Sequence, residues 1–275
     1  MSQTLLSLSK VQKVFGGLYA VNGVSFDVQK GSITALIGPN GAGKTTLINL
    51  ITGVFKQSAG SISLNGTEIS KLSAAERVRA GMSRSYQTPQ MIRGLTALEN
   101  VTVGADLYSN FSMLDLLFRP WSVRADNRRA TEKACQALTR TGLREALWNF
   151  PADTLSYGDQ RRVEIARSLA QEPQILLLDE PAAGLNPTET EELGRDLRRW
   201  AQEGLTILLV EHDMPLIMSI ADRIVVVNFG QGLAEGTPAE IQKNEEVIAA
   251  YLGADTEEES SPLAQESSAK EVQHV

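Results

Sequence analysis

Residues 36–47 read "LIGPNGAGKTTL": Gly38, four intervening residues, then Gly43, Lys44 and Thr45. Loops of this spacing wrap phosphate groups with main-chain N–H groups, while the lysine neutralises the outer oxygens. Gly38, Pro39, Asn40, Gly41, Ala42, Gly43, Lys44, Thr45 and Thr46 are therefore the candidate phosphate-binding set, with the Thr45 hydroxyl placed to hold Mg²⁺. A side chain at Gly41 or Gly43 would keep the backbone from a close approach. An ordinary glycine-rich turn has the same composition. The context separates the two readings, since an apolar strand, "SITALIG", precedes the loop and a helix, "TTLINLIT", follows it.

A second cluster is acidic. "ILLLDEP" ends an apolar run in Asp179 and Glu180. Successive strand residues point to opposite faces, so Asp179 can reach a metal ion while Glu180 faces an attacking water. Phosphoryl transfer needs little beyond positioning, charge neutralisation and an oriented nucleophile. An acidic pair is also a common polar strand end; the loop at 38–45 favours the chemical reading. His212 closes another apolar run, "LLVEHD". At the carboxyl end of a neighbouring strand, where open α/β sheets bind ligands, it is placed to hydrogen-bond phosphate or water.

The elements that must carry these residues announce themselves. "VSFDV" and "SISLNG" alternate apolar and polar residues, the latter before a turn-forming Asn-Gly. "SITALIG", "QILLLDEP", "LTILLVEHD" and "DRIVVVNFG" are continuous apolar runs, as expected of strands covered on both faces. Ser73 with Glu76, Thr96 with Glu99 and Thr237 with Glu240 fit capping boxes. Asn186-Pro187 opens a helix whose Leu193, Leu197 and Trp200 recur at core-facing spacing. Strands alternating with helices predict an α/β fold with a mainly parallel sheet. Residues from about 88 to 164 lack buried-strand runs and read as a helical insertion.

Composition excludes several classes. The 275 residues are 42% hydrophobic and carry a formal net charge of −7. Residues 254–275 hold six acids against the single base Lys270, so most of that charge sits in a polar tail with the composition of solvated disorder. The rest is close to neutral, which gives nucleic acid no bulk attraction. No run approaches the ~20 apolar residues of a membrane span, and "MSQTLLSLSK" is a poor signal peptide. The lone Cys135 rules out an internal disulfide framework and reads as a packed or partly exposed helix thiol in a cytosolic chain.

The loop at 38–45, Gln87 in "RSYQTPQ", "LSYGDQRR", "ILLLDEP", "AAGLNP" and His212, taken in this order, resemble the ATP-binding-cassette (ABC) ATPases over residues 5–253. The resemblance implies a P-loop (RecA-like) α/β core with a mainly parallel sheet, an N-terminal antiparallel β subdomain and an inserted α-helical subdomain. In those terms residues 1–253 are the ATPase domain: 1–87 and 165–253 form the core, and 88–164 the helical subdomain. ATP and Mg²⁺ are the implied cofactors.

By the same resemblance Phe15 matches an aromatic that stacks on adenine, although a core phenylalanine fits that position too. Gln87 matches a loop glutamine that touches Mg²⁺. With Lys44, Glu180 and His212 it completes the implied catalytic set, and with Thr45 and Asp179 the implied metal set. Ser156, Tyr157, Gly158, Asp159 and Gln160 form the signature, with Ser156 and Gly158 meeting the nucleotide of a second subunit. The common signature is Leu-Ser-Gly-Gly-Gln, so Tyr157 and Asp159 depart from it, as Asn186 departs from a usual aspartate.

"LSYGDQRRVEIAR", "DEPAAGLNPTET", "VEHDM" and "GTPAEI...VIAAYLG" resemble the ATPase subunits of branched-chain amino acid importers. That group implies two membrane permease partners, a second ATPase chain, an extracytoplasmic binding protein engaged indirectly, and a peripheral place on the cytoplasmic face of the inner membrane. Urea or amide import, lipid or lipopolysaccharide export, and a soluble switch in DNA repair or translation are the alternatives. The apolar residues in "LYSNFSMLDLLFRPWSVRADNRR" suit either a groove for a permease helix or subdomain core.

Overall fold

The alternating apolar residues of the N-terminus and the continuous runs of the later strands meet in one core. A computed structural model describes residues 3–85, 88–105 and 120–251. The first elements along the chain are β1 (Thr4–Phe15), β2 (Leu18–Gln29), β3 (Ile33–Ile37) and α1 (Lys44–Ile51). Then come β4 (Ala59–Leu64), β5 (Thr67–Glu68), α2 (Ala74–Arg79) and β6 (Met82–Arg84). The helical middle contains α3 (Ala97–Ala105), α4 (Pro120–Arg140) and α5 (Tyr157–Leu169). The last part runs β7 (Ile175–Asp179), α6 (Pro187–Gln202), β8 (Thr206–Val210), α7 (Met214–Ile220), β9 (Arg223–Asn228), β10 (Gln231–Gly236) and α8 (Pro238–Ile241).

Two sheets result. The antiparallel one has the order β2-β1-β4-β5, and the larger one β10-β9-β3-β8-β7-β6. In the larger sheet β9, β3, β8, β7 and β6 are parallel, with β10 antiparallel at the edge. The predicted α/β class is thus the observed one. The four continuous apolar runs are β3, β7, β8 and β9, and the reason is visible in β7 and β8. Ile175, Leu177, Leu208 and Val210 join the core shared with the N-terminal sheet and α1. Leu176, Leu178, Ile207 and Leu209 join a second core beneath α3, α5 and α6. Both faces are covered, so no polar alternation survives.

Local signals act as read. The Glu76, Glu99 and Glu240 carboxylates accept the N–H groups of Ser73, Thr96 and Thr237 at 2.7–2.8 Å. Asn65 and Gly66 take positive φ values of 48° and 76° in the two-residue turn joining β4 to β5. Leu193, Leu197 and Trp200 are buried in the second core. Strands β1, β6 and β10 were not distinguished from the sequence. Helix α5 runs unbroken through residue 164, where the sequence drew a subdomain edge. Cys135 is half-buried on α4, and desolvation raises its pKa, as for a packed thiol of low reactivity. Gln87, residues 106–119 of the apolar insertion and the tail 254–275 lie outside the described residues.

Candidate functional site

Strands β3, β8 and β7 are adjacent and parallel, so their carboxyl ends open on one side of the sheet. The loop of residues 38–43 follows β3, His212 follows β8, and Asp179–Glu180 ends β7. Three stretches far apart in sequence are thus brought together by strand order alone. The loop is built around its glycines. A β-carbon at Gly38 would lie 2.0 Å from the Val227 carbonyl oxygen, and one at Gly43 2.5 Å from that of Ala20. At Gly41 no neighbour would collide; the need for glycine there is the φ of 74°. Gly43 at φ 98° then turns the chain into α1, whose first N–H groups have no partner within the helix.

Lys44 is buried, and its Nζ donates to the carbonyls of Gly38 at 2.7 Å and Pro39 at 2.9 Å. Burial holds its pKa below the usual lysine value, partly offset by the charges of Glu180 and Asp179. Thr45 is exposed and Thr46 half-exposed. Behind the loop, Ala42 O accepts from the Gly230 N–H at 3.0 Å.

Asp179 is buried and accepts from Arg84 Nη2 at 2.9 Å; Arg84 Nη1 donates to Asn49 Oδ1 at 2.6 Å. Glu180 differs in backbone as well as direction. It takes the left-handed conformation, φ 49°, that non-glycine residues seldom adopt, with its N–H donating to Val210 O at 2.8 Å. Its Oε1 lies 2.8 Å from His212 Nε2. Arg161, fully buried on α5, donates to the Glu180 carbonyl at 3.0 Å while pairing with buried Glu164 at 2.7 Å. The strained turn that aims Glu180 is therefore held from both ends.

Glu211 is also buried. Its Oε1 accepts from the Ala182 N–H at 2.6 Å and its Oε2 from the His212 N–H at 3.1 Å. Desolvation raises its pKa above the usual glutamate value and these N–H groups oppose that. Sequence reasoning missed Arg84, Asn49, Arg161, Glu164 and Glu211. Only Glu211 carried a readable signal: like Asp179, it is a carboxylate ending an apolar strand.

The signature residues meet a different part of the chain. Ser156 caps α5: its Oγ accepts from the Asp159 N–H at 3.2 Å and donates to Asp159 Oδ2 at 2.8 Å. Tyr157 packs on Gly184, and Gly158 faces the Glu189 carboxylate at the start of α6. Gln160 Nε2 donates to the Leu155 carbonyl at 2.9 Å. Tyr157 and Gly158 thus lie against the 184–189 turn of their own chain. Phe15 is not core: it is 42% exposed, edge-to-face with Phe55 at 5.5 Å, with Lys13 Nζ 4.7 Å from its centroid.

The family model described as ABC transporter matches residues 21–183, more than half of the chain. The chain belongs to the ABC transporter family. Within it, a second model, described as branched-chain amino acid ATP-binding cassette transporter, matches residues 233–257. The high-affinity branched-chain amino acid transport ATP-binding protein BraF of Pseudomonas aeruginosa is 45% identical over 92% of this chain and 99% of its own. An ABC transporter cassette solved in its ADP conformation is 31% identical, with a TM-score of 0.78, over 91% of this chain and 99% of its own. A dimeric cassette in a post-hydrolysis state with ADP and Pi is 27% identical, with a TM-score of 0.71, over 85% and 99%. This ABC cassette is an ATP-binding subunit whose ATP hydrolysis is coupled to transport. Among the described residues no helix is long and apolar enough to cross a membrane.

Proposed function

We propose that this cassette energises the import of branched-chain amino acids, hydrolysing ATP at a site that two ATPase subunits complete together. The observation that carries the catalytic part is the 2.8 Å pairing of Glu180 with His212 at the ends of β7 and β8, on one side of the strand that leads into the Lys44 loop. The loop at residues 38–43 suits a polyphosphate, because Gly38 and Gly43 let its backbone pack on the Val227 and Ala20 carbonyls and lead into the unpaired first N–H groups of α1. In this reading residues 38–46 bind the phosphates and the exposed Phe15 ring receives the base. The Thr45 hydroxyl and the Asp179 carboxylate suit Mg²⁺, a hard ion usually held by few protein oxygens with phosphates and water completing its shell. That ion, when bound, neutralises charge developing on the transferred phosphoryl group. Gln87, outside the described residues, is assigned to the same shell.

The roles of the chain's own groups follow. Lys44 offers a charge that burial keeps close to the loop. Glu180 orients the attacking water and takes up its proton, and His212 holds the Glu180 carboxylate in place. Ser156 and Gly158, at the start of α5, face the nucleotide of a second cassette. Two permeases and an indirectly engaged binding protein complete the assembly, with the cassette peripheral at the cytoplasmic face of the inner membrane. The cargo rests on the match at 233–257 and on BraF-type relatives.

Uptake by proteoliposomes containing the cassette with its co-purified permeases tests this. ATP-dependent accumulation of leucine, isoleucine and valine is expected. Uptake of urea alone would overturn the cargo. Failure to associate with permeases, with salt-sensitive binding of nucleic acid instead, would overturn the transport reading.

A further inference from the structure

Resting on the roles given above to Glu180 and His212, we propose that Glu211 is a positioning residue that fixes the distance between them. The two groups stand on different loops: Glu180 opens the turn after β7, and His212 follows β8. Glu211 spans that gap. One carboxylate oxygen takes the Ala182 N–H, two residues past Glu180, at 2.6 Å, and the other takes the N–H of His212 itself at 3.1 Å. Both loops are thereby tied to a single rigid group.

The chemistry calls for a carboxylate. Every contact is an N–H donor, and an ionised carboxylate is acceptor-only, with about four lone-pair directions. No basic side chain among the described residues pairs with Glu211, so backbone N–H groups compensate its buried charge. The carboxylate is confined in turn, because rotating away would leave its charge without donors in a buried site. His212 is held from its other side as well. Asp213 Oδ1 accepts the Leu216 N–H at 2.8 Å and caps α7, so residues 211–213 are pinned on both flanks.

Replacing Glu211 with glutamine keeps the volume but puts an NH₂ where one of the N–H groups now donates. The loops should separate slightly, leaving the P-loop untouched. Misplacement on the order of 1 Å can cost about 10²-fold in rate.

The experiment is a double-mutant cycle on the whole cassette in its transport complex, reading turnover, KM for ATP and thermal stability of Glu211→Gln, His212→Ala and the pair. Glu211→Gln is expected to lose about 10–10²-fold in turnover with KM unchanged. The pair should be no slower than His212→Ala alone, since without the imidazole there is no Glu180–His212 distance left for Glu211 to fix. Wild-type turnover in Glu211→Gln, or losses that add in full, would overturn the inference. Glu211→Asp, which keeps the charge but withdraws it by one methylene, should also lose turnover; unchanged activity there would equally overturn it. Wild-type turnover in His212→Ala would instead overturn the reading of His212 beneath it.

Discussion

The ring of Tyr157 lies against the backbone of Gly184, so close that a β-carbon there would sit 2.9 Å from Cε1. Tyr157 stands where the common signature has glycine, and Gly184 belongs to the turn that follows Glu180. The tyrosine therefore joins two functional loops of one chain while Ser156 and Asp159 remain at the helix start. One edge of its ring lies on Gly184 while the residue stays 40% exposed, so the position has room for a large side chain.

Tyr157→Gly should accordingly lower ATP turnover, because it frees the signature loop from the 184–189 turn. A glycine in the first turn of α5 costs about 1 kcal/mol in helix propensity, a fall in Tm of about 2–4 °C for a chain of this size. Steady-state hydrolysis and a thermal melt check both. A large gain in turnover would mean that the tyrosine had damaged the site.

The buried Arg161–Glu164 pair separates stability from activity. Arg161→Met leaves Glu164 buried without its cation and should destabilise the fold by about 3–5 kcal/mol. Adding Glu164→Leu should restore most of the loss, since a buried pair replaced by apolar residues is often neutral. Turnover should stay low in the double variant, because the Glu180 carbonyl still lacks the Arg161 donor. Urea unfolding alongside kcat distinguishes the two effects; full recovery of both would assign Arg161 a packing role alone.

Lys44 gives a pH dependence of known sign. Burial lowers its pKa below the ordinary 10.5, so between those two values the unfolded chain binds the proton more tightly than the folded one. The stability of the wild type relative to Lys44→Met should therefore rise as pH climbs through that window toward 10.5. Urea midpoints of both proteins from neutral pH upward test this. ATP should raise the Tm of the wild type and leave that of Lys44→Met unchanged.

What could be read in advance follows a physical division. Caps at Ser73, Asn186 and Thr237 and the turn at Asn65-Gly66 are settled by residues within a few positions, and local sequence displays them. The apolar runs of β3, β7, β8 and β9 are legible because burial on both faces leaves no polar alternation. Glycine spacing and the residues ending those strands then placed Lys44, Asp179, Glu180 and His212. Arg84, Arg161, Glu164 and Glu211 are different, since a buried charge is explained only by partners that the fold brings to it. Arg84 meets Asp179 across 95 positions, and Glu211 meets Ala182 across 29. The contact of Tyr157 with Gly184 was hidden for the same reason. Short β6 and β10, and β1 with its irregular register, carried too weak a pattern to separate from loop.

Glu180, as the group that orients and deprotonates the attacking water, is central to the proposed hydrolysis. Glu180→Gln keeps the size and the hydrogen-bonding reach toward His212 but removes the base. Turnover measured beside ATP affinity is predicted to fall by about 10²–10⁴-fold, typical of a lost acid–base group, with ATP binding and ATP-dependent dimerisation intact. Hydrolysis at the wild-type rate, or loss of binding together with hydrolysis, would contradict it.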